Sequence, residues 1–102
     1  MSVRWTQRAF SDFDSFFDSI AADKPIAARR IVGILLEQAR QLSEHPYRGR
    51  PGRLGQTREL AIPRLPYVLV YTAAPSLTET APVLTILRVM HGAMRWPPGG
   101  GV

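Results

Sequence analysis

Four arginines, Arg48, Arg50, Arg53 and Arg58, crowd one short stretch with no acidic residue between 48 and 58. A guanidinium is a planar fork that pairs bidentately with phosphate or carboxylate, so this spacing suits anion recognition. Gly49, Gly52 and Gly55 separate the basic groups and let the backbone turn between them. A solvated basic loop is the competing reading. A second constellation runs from Ile86 to Pro97, where an apolar stretch meets His91, Gly92 and the pair Arg95-Trp96. An imidazole is the side chain suited to proton transfer near neutral pH, so His91 is a candidate general acid or base. Arg88 would hold the charge of a phosphorane, assisted by Tyr67 or Tyr71 from a neighbouring strand. A structural hydrogen bond competes for His91. For Trp96, stacking on a base competes with covering the end of the core. A third feature is Arg58-Glu59: neighbours on a strand face opposite ways, so one of them meets the helical layer or an edge and needs a partner there.

Several chemistries are missing. There is no cysteine, hence no disulfide, thiolate nucleophile or thiolate zinc site, and two histidines are too few for an ordinary histidine metal site. No glycine-rich phosphate loop or nucleophile elbow occurs, and the acidic residues gather near the start of the chain. Neither a metal nor a cofactor is expected.

The elements that would position these residues follow from periodicity. Ser2 to Trp5 reads as a short strand. Thr6 is a natural N-cap for a helix reaching about Ala22, with Phe10, Phe13, Phe17 and Ile20 as its apolar stripe. Asp23 is expected to cap a second helix, with Pro25 in its first turn and Ile31, Ile34, Leu35, Gln38 and Leu42 on one face, ending before Pro46. His45 to Gln56 reads as a loop. Strands follow over 57–62, 67–73 and 82–90, the last apolar on both faces and therefore central. Residues 74–81 form the connecting turn. The order β-α-α-β-β-β predicts an α+β fold, a helical hairpin packed on a mostly antiparallel sheet. The expected division is one domain over 1–97 and a disordered tail over 98–102.

The 102 residues carry thirteen Lys and Arg against eight Asp and Glu. Twelve of the basic residues are arginine, and residues 29–64 hold eight basic and three acidic groups, so the excess sits in mid-chain. A polyanion or an acidic protein is the physical expectation for a partner. The apolar runs are far below the roughly 20 residues that span a bilayer, and Met-Ser-Val-Arg-Trp lacks a signal-type apolar core. No membrane contact and a cytoplasmic location are expected.

The ordered set Trp5-Thr6, Ala9, Asp12, Leu42, Pro46, Gly49-Arg50-Pro51-Gly52, Gly55, Thr57-Arg58-Glu59-Leu60, Pro66 to Tyr71 and Ile86 to Ala93, closing on Trp96-Pro97, resembles the RelE/ParE superfamily of type II toxin–antitoxin modules. The resemblance implies a growth-arresting toxin, of use in plasmid stabilization, with a cognate antitoxin as partner. RelE-like members cleave mRNA in the ribosome without metal; ParE-like members poison DNA gyrase. The basic position opening the Tyr-x-x-x-Tyr strand of RelE-like proteins is Val68 here. Glu59 and Ala61 stand where such enzymes carry basic residues. Met94 replaces the arginine after His-Gly-Ala, with Arg95 displaced by one, and His91 with Met94 resembles the ParE-like pattern. The resemblance therefore implies a non-catalytic gyrase-directed toxin, with Arg48, Arg50, Arg53, Arg58, Arg95 and Trp96 as target- or antitoxin-binding residues. The alternative is an mRNA endonuclease using Arg58, Arg88, His91, Arg95 and Tyr67, with ribosome and mRNA as partners. A third reading is an inert binding module of the same fold.

Overall fold

A computed structural model describes residues 3–52, 54–74 and 83–92. Arg53, Arg95, Trp96, the expected tail and all but the first residue of the expected 74–81 turn lie outside the described residues. The elements are β1 (Val3–Trp5), α1 (Gln7–Ala21), α2 (Pro25–Glu44), β2 (Arg50–Pro51), β3 (Arg58–Ala61), β4 (Tyr67–Ala74) and β5 (Val83–His91). The strands form one sheet in the order β1-β5-β4-β3-β2, with β1 parallel to β5 and every other pairing antiparallel. The α+β arrangement of a helical hairpin on a mostly antiparallel sheet is thus observed, and β5 is central.

Proline sets both ends of α2. Residues before proline are driven out of the helical region by its ring. Lys24 and His45, preceding Pro25 and Pro46, have φ/ψ of −137/74° and −133/70° and become the two caps. This displaces the expected Asp23 cap by one residue, and Lys24 offers no side-chain hydrogen bond to the helix end. Thr6 caps α1 as expected: its Oγ1 accepts from the Ala9 N–H at 3.1 Å while its hydroxyl donates to the Leu87 carbonyl at 2.9 Å.

The face of α1 differs from the expected stripe. Ala9 is fully buried and Phe13, Phe16 and Ile20 pack on the core, whereas Phe10 is 55% exposed. The helix is rotated from that stripe so that Asp12, together with Phe13 and Phe16, faces inward while Phe10 does not. From α2, Leu35, Ala39 and Leu42 meet Leu60, Ile62, Tyr67, Leu69, Tyr71, Leu84, Ile86 and Val89 of the sheet side. Ile86 and Val89 are an odd number of residues apart and would point to opposite faces of a regular strand. A bulge resolves this: Val70 pairs with Arg88 but Tyr71 with Ile86, so Leu87 is extra and the later residues return to the core side.

The 45–56 segment, expected as loop throughout, contains β2. Arg50 pairs with Glu59 and Pro51 with Arg58. Pro51 lacks a ladder donor, which is tolerable because β2 is a sheet edge.

Candidate functional site

Around Arg48, Arg50 and Arg58 the arginine segment is held by hydrogen bonds to its backbone. Tyr71, fully buried on β4, donates its hydroxyl to the Pro46 carbonyl at 2.8 Å and accepts from the Gly49 N–H at 2.9 Å. Gly49 is required here, since a Cβ at that position would lie 2.6 Å from the Tyr71 Oη and 2.9 Å from the Glu59 carbonyl. Arg58 closes the other side: its Nε donates to the Gly49 carbonyl at 3.0 Å, its Nη2 to the Tyr47 carbonyl at 3.1 Å, and its guanidinium lies 5.3 Å from the Tyr47 ring centre. Arg58 has the parity of buried Leu60, so it is the residue that meets the helical side of the sheet, and two carbonyls satisfy it there. Glu59, on the opposite face, pairs with Arg50 at 3.2 Å.

Arg48 and Arg50 are left on the outside. Arg48 donates to the neutral Gln41 side chain at 2.7 Å. Arg50 is 77% exposed while the Glu59 carboxylate beneath it is 11% exposed. Together with Gly49, Leu60, Ala61 and Val68 they line a hollow of about 320 Å³. Its floor is aliphatic, its rim cationic, and it holds one carboxylate.

The second constellation separates into parts. The Asp12 carboxylate accepts from Arg88 Nε at 2.7 Å, from Arg88 Nη2 at 3.0 Å and from the Val89 N–H at 3.0 Å. Arg88, expected as a phosphorane holder, is therefore engaged in joining α1 to β5, with both side chains nearly buried. His91 lies edge-on to Tyr67, ring centres 5.7 Å apart, and Phe16 packs against both. Burial raises the Tyr67 phenol above its ordinary range, so it stays protonated at neutral pH. Tyr67 and His91 are thus brought together. Arg58 is opposite Tyr71, four residues further along β4 and about 13 Å away at the usual strand rise, so it does not converge with them on one phosphate.

Sequence reasoning missed Asp12 as the Arg88 partner and Gln41 beside Arg48, and it assigned Tyr71 to assisting Arg88, whereas the hydroxyl joins Pro46 to Gly49. A further feature is an apolar groove of about 360 Å³ lined by Trp5, Phe10, Phe13, Asp14 and Leu36, with Phe10 and Leu36 about half exposed. Trp5 stacks on Phe10 and meets Phe13 edge-on at its base. Among the described residues no cluster of His, Asp and Glu could hold a metal, and no helix is long and apolar enough to cross a membrane.

Comparison with known proteins places this arrangement. "Putative toxin Y4kP" of Sinorhizobium fredii is 37% identical over 95 residues, covering 93% of this chain and 92% of that protein. A chain of a chromosomal ParDE toxin–antitoxin system from P. aeruginosa superposes with a TM-score of 0.73 at 26% identity, over 89% of this chain and 95% of that one. A YoeB/ParE toxin from Agrobacterium tumefaciens shares the fold, with a TM-score of 0.61 at 16% identity over 89% and 98% of the two chains. The sequence description of the family "ParE toxin of type II toxin-antitoxin system, parDE" matches residues 3–96. The chain therefore belongs to the ParE toxin family of type II toxin–antitoxin systems, within the RelE/ParE superfamily.

Proposed function

We propose that this toxin arrests growth by inhibiting DNA gyrase and that it has no RNA-cleaving activity. The observation that carries this reading is the hollow beside β3 and β4. Cleavage of a phosphodiester by its own ribose 2′-OH needs cationic groups around the developing phosphorane and a proton carrier within reach. Here the strands present Ala61, Val68 and the Glu59 carboxylate to the hollow, its cations Arg48 and Arg50 stand at the rim, and the strand arginines Arg58, on the other face, and Arg88 are committed to carbonyls and to Asp12.

Family membership implies an antitoxin partner. The apolar groove between the two helices and β1 supports docking of an amphipathic antitoxin segment, and the basic rim supports contact with its acidic part. The test is induction of the chain without antitoxin, followed by a supercoiling assay with purified gyrase and a cleavage assay on ribosomes programmed with mRNA. Inhibited supercoiling with intact mRNA is expected. Cut mRNA at the ribosomal A site would replace this reading with the endonuclease, and normal growth with neither effect would leave an inert binding module.

A further inference from the structure

The structure assigns to Arg48, Arg50 and the hollow between them a receptor for a carboxylate side chain of a protein partner, with Tyr71 as its positioning residue. The inference rests on the toxin–antitoxin reading, in which that partner is the antitoxin. Three observations carry it.

First, the two guanidiniums have donors to spare. Arg50 spends one nitrogen on Glu59 and is mostly exposed, and Arg48 is bonded to a neutral amide, so no carboxylate among the described residues offsets it. A second carboxylate can be bound between them through bonds of the strong, charge-assisted kind. Second, the hollow suits an amino-acid side chain better than a nucleotide. Ala61 and Val68 offer an aliphatic floor for methylene groups and no ring on which a base could stack. The Glu59 carboxylate in the hollow repels a chain of phosphates, but a single carboxylate at the cationic rim can avoid it. Tyr47, beside Arg48 in the chain, has one face occupied by Arg58, and the Tyr71 ring beneath Gly49 is fully buried. Third, the receptor is formed before any partner arrives. The Tyr71 hydroxyl ties Pro46 to Gly49, Arg58 ties Gly49 to Tyr47, and β2 fixes Arg50 against Glu59. Ordering a loop on binding weakens affinity, and here that cost has been met during folding.

The experiment uses the full chain and fluorescein-labelled decaglutamate, with labelled decauridylate as the competing polyanion, read by fluorescence anisotropy over a series of salt concentrations. Wild type is expected to bind decaglutamate more tightly than decauridylate. Replacing both exposed arginines, Arg48→Gln with Arg50→Gln, should weaken peptide binding about tenfold at low salt and flatten its salt dependence. Tyr71→Phe keeps both charges and should weaken binding roughly threefold to tenfold at every salt concentration, leaving the slope unchanged. Decauridylate binding more tightly than the peptide, no peptide binding, or arginine variants that bind as wild type would each overturn the receptor. Wild-type affinity in a folded Tyr71→Phe would overturn the positioning role. Growth arrest and its relief are measured separately, so a failure of the toxin reading is distinguishable from a failure of this one.

Discussion

Asp12 faces two arginines, and the structure predicts very different consequences for losing each. Arg88 donates two short bonds to its carboxylate, with side chains 10% and 11% exposed. Arg8 lies 3.9 Å away and is 68% exposed. Removing one partner of a buried pair costs about 3–5 kcal/mol, because the other charge is left in a low-dielectric site. Asp12→Ala removes the carboxylate that accepts two bonds from the Arg88 guanidinium and also the acceptor of the Val89 N–H, so it should lie at the upper end. Arg88→Met leaves a carboxylate that still accepts from Val89 and still has Arg8 nearby, so it should be milder. Arg8→Ala should cost less than about 1 kcal/mol, as an exposed pair does. A domain of this size is stable by about 5–15 kcal/mol, so Asp12→Ala removes a large share. At roughly 4–8 °C per kcal/mol its Tm should fall by tens of degrees. The double variant Asp12→Leu with Arg88→Met should recover most of the loss, apart from about 1–3 kcal/mol for the unpaired Val89 amide. Urea unfolding followed by far-UV circular dichroism gives all four values. Arg88→Met as mild as Arg8→Ala would refute the reasoning and return Arg88 to the set of cations free to act on a substrate.

Two further predictions concern stability. Burial raises the Tyr67 phenol in the folded state, while the unfolded chain ionises near the ordinary value of about 10. The contribution is therefore complete below pH ~10 and is lost as pH rises through the folded value; wild type should lose stability faster than Tyr67→Phe once the pH rises above about 10. Parallel urea midpoints for the two proteins would contradict this. Gly33 lies exposed in the middle of α2, and a Cβ there would meet nothing within 4 Å. Gly33→Ala should stabilise the protein by about 0.5–1 kcal/mol through helix propensity alone, and a lowered urea midpoint would count against it.

The sequence made the element order readable because its punctuation is local. Thr6, Pro25 and Pro46 act within a few residues of themselves, and the strands following residue 56 carry their own alternation and β-branched content. Misreadings came where a partner is far away in sequence. The orientation of α1 depends on Asp12 reaching Arg88, 76 residues on, and four phenylalanines at helical spacing cannot reveal which of them yields the inner face to an aspartate. Two-residue β2 is hidden among glycines and prolines because its strand character comes wholly from pairing with β3. The site shows the same division. Arg48 and Arg50 are legible from composition, but the hydroxyl that holds their segment belongs to Tyr71, which the sequence offers only as a helper of Arg88 because its bonds to Pro46 and Gly49 span more than twenty residues. Glu59 became interpretable only when Arg50 was seen opposite it.

The position of β5 bears on the life of the chain during its own synthesis. The fifth strand lies between the first and the fourth, holds β1 in parallel pairing, and supplies the anchor for α1. A nascent chain that has reached Ala74 therefore has a first strand without a neighbour, an aspartate without its arginine and a helical hairpin with only part of a sheet beneath it. Contacts between such distant parts of the chain form late in folding. A ribosome making this protein therefore carries no assembled toxin until residues through His91 have cleared the exit tunnel, and a message truncated before codon 83 yields no toxin fold.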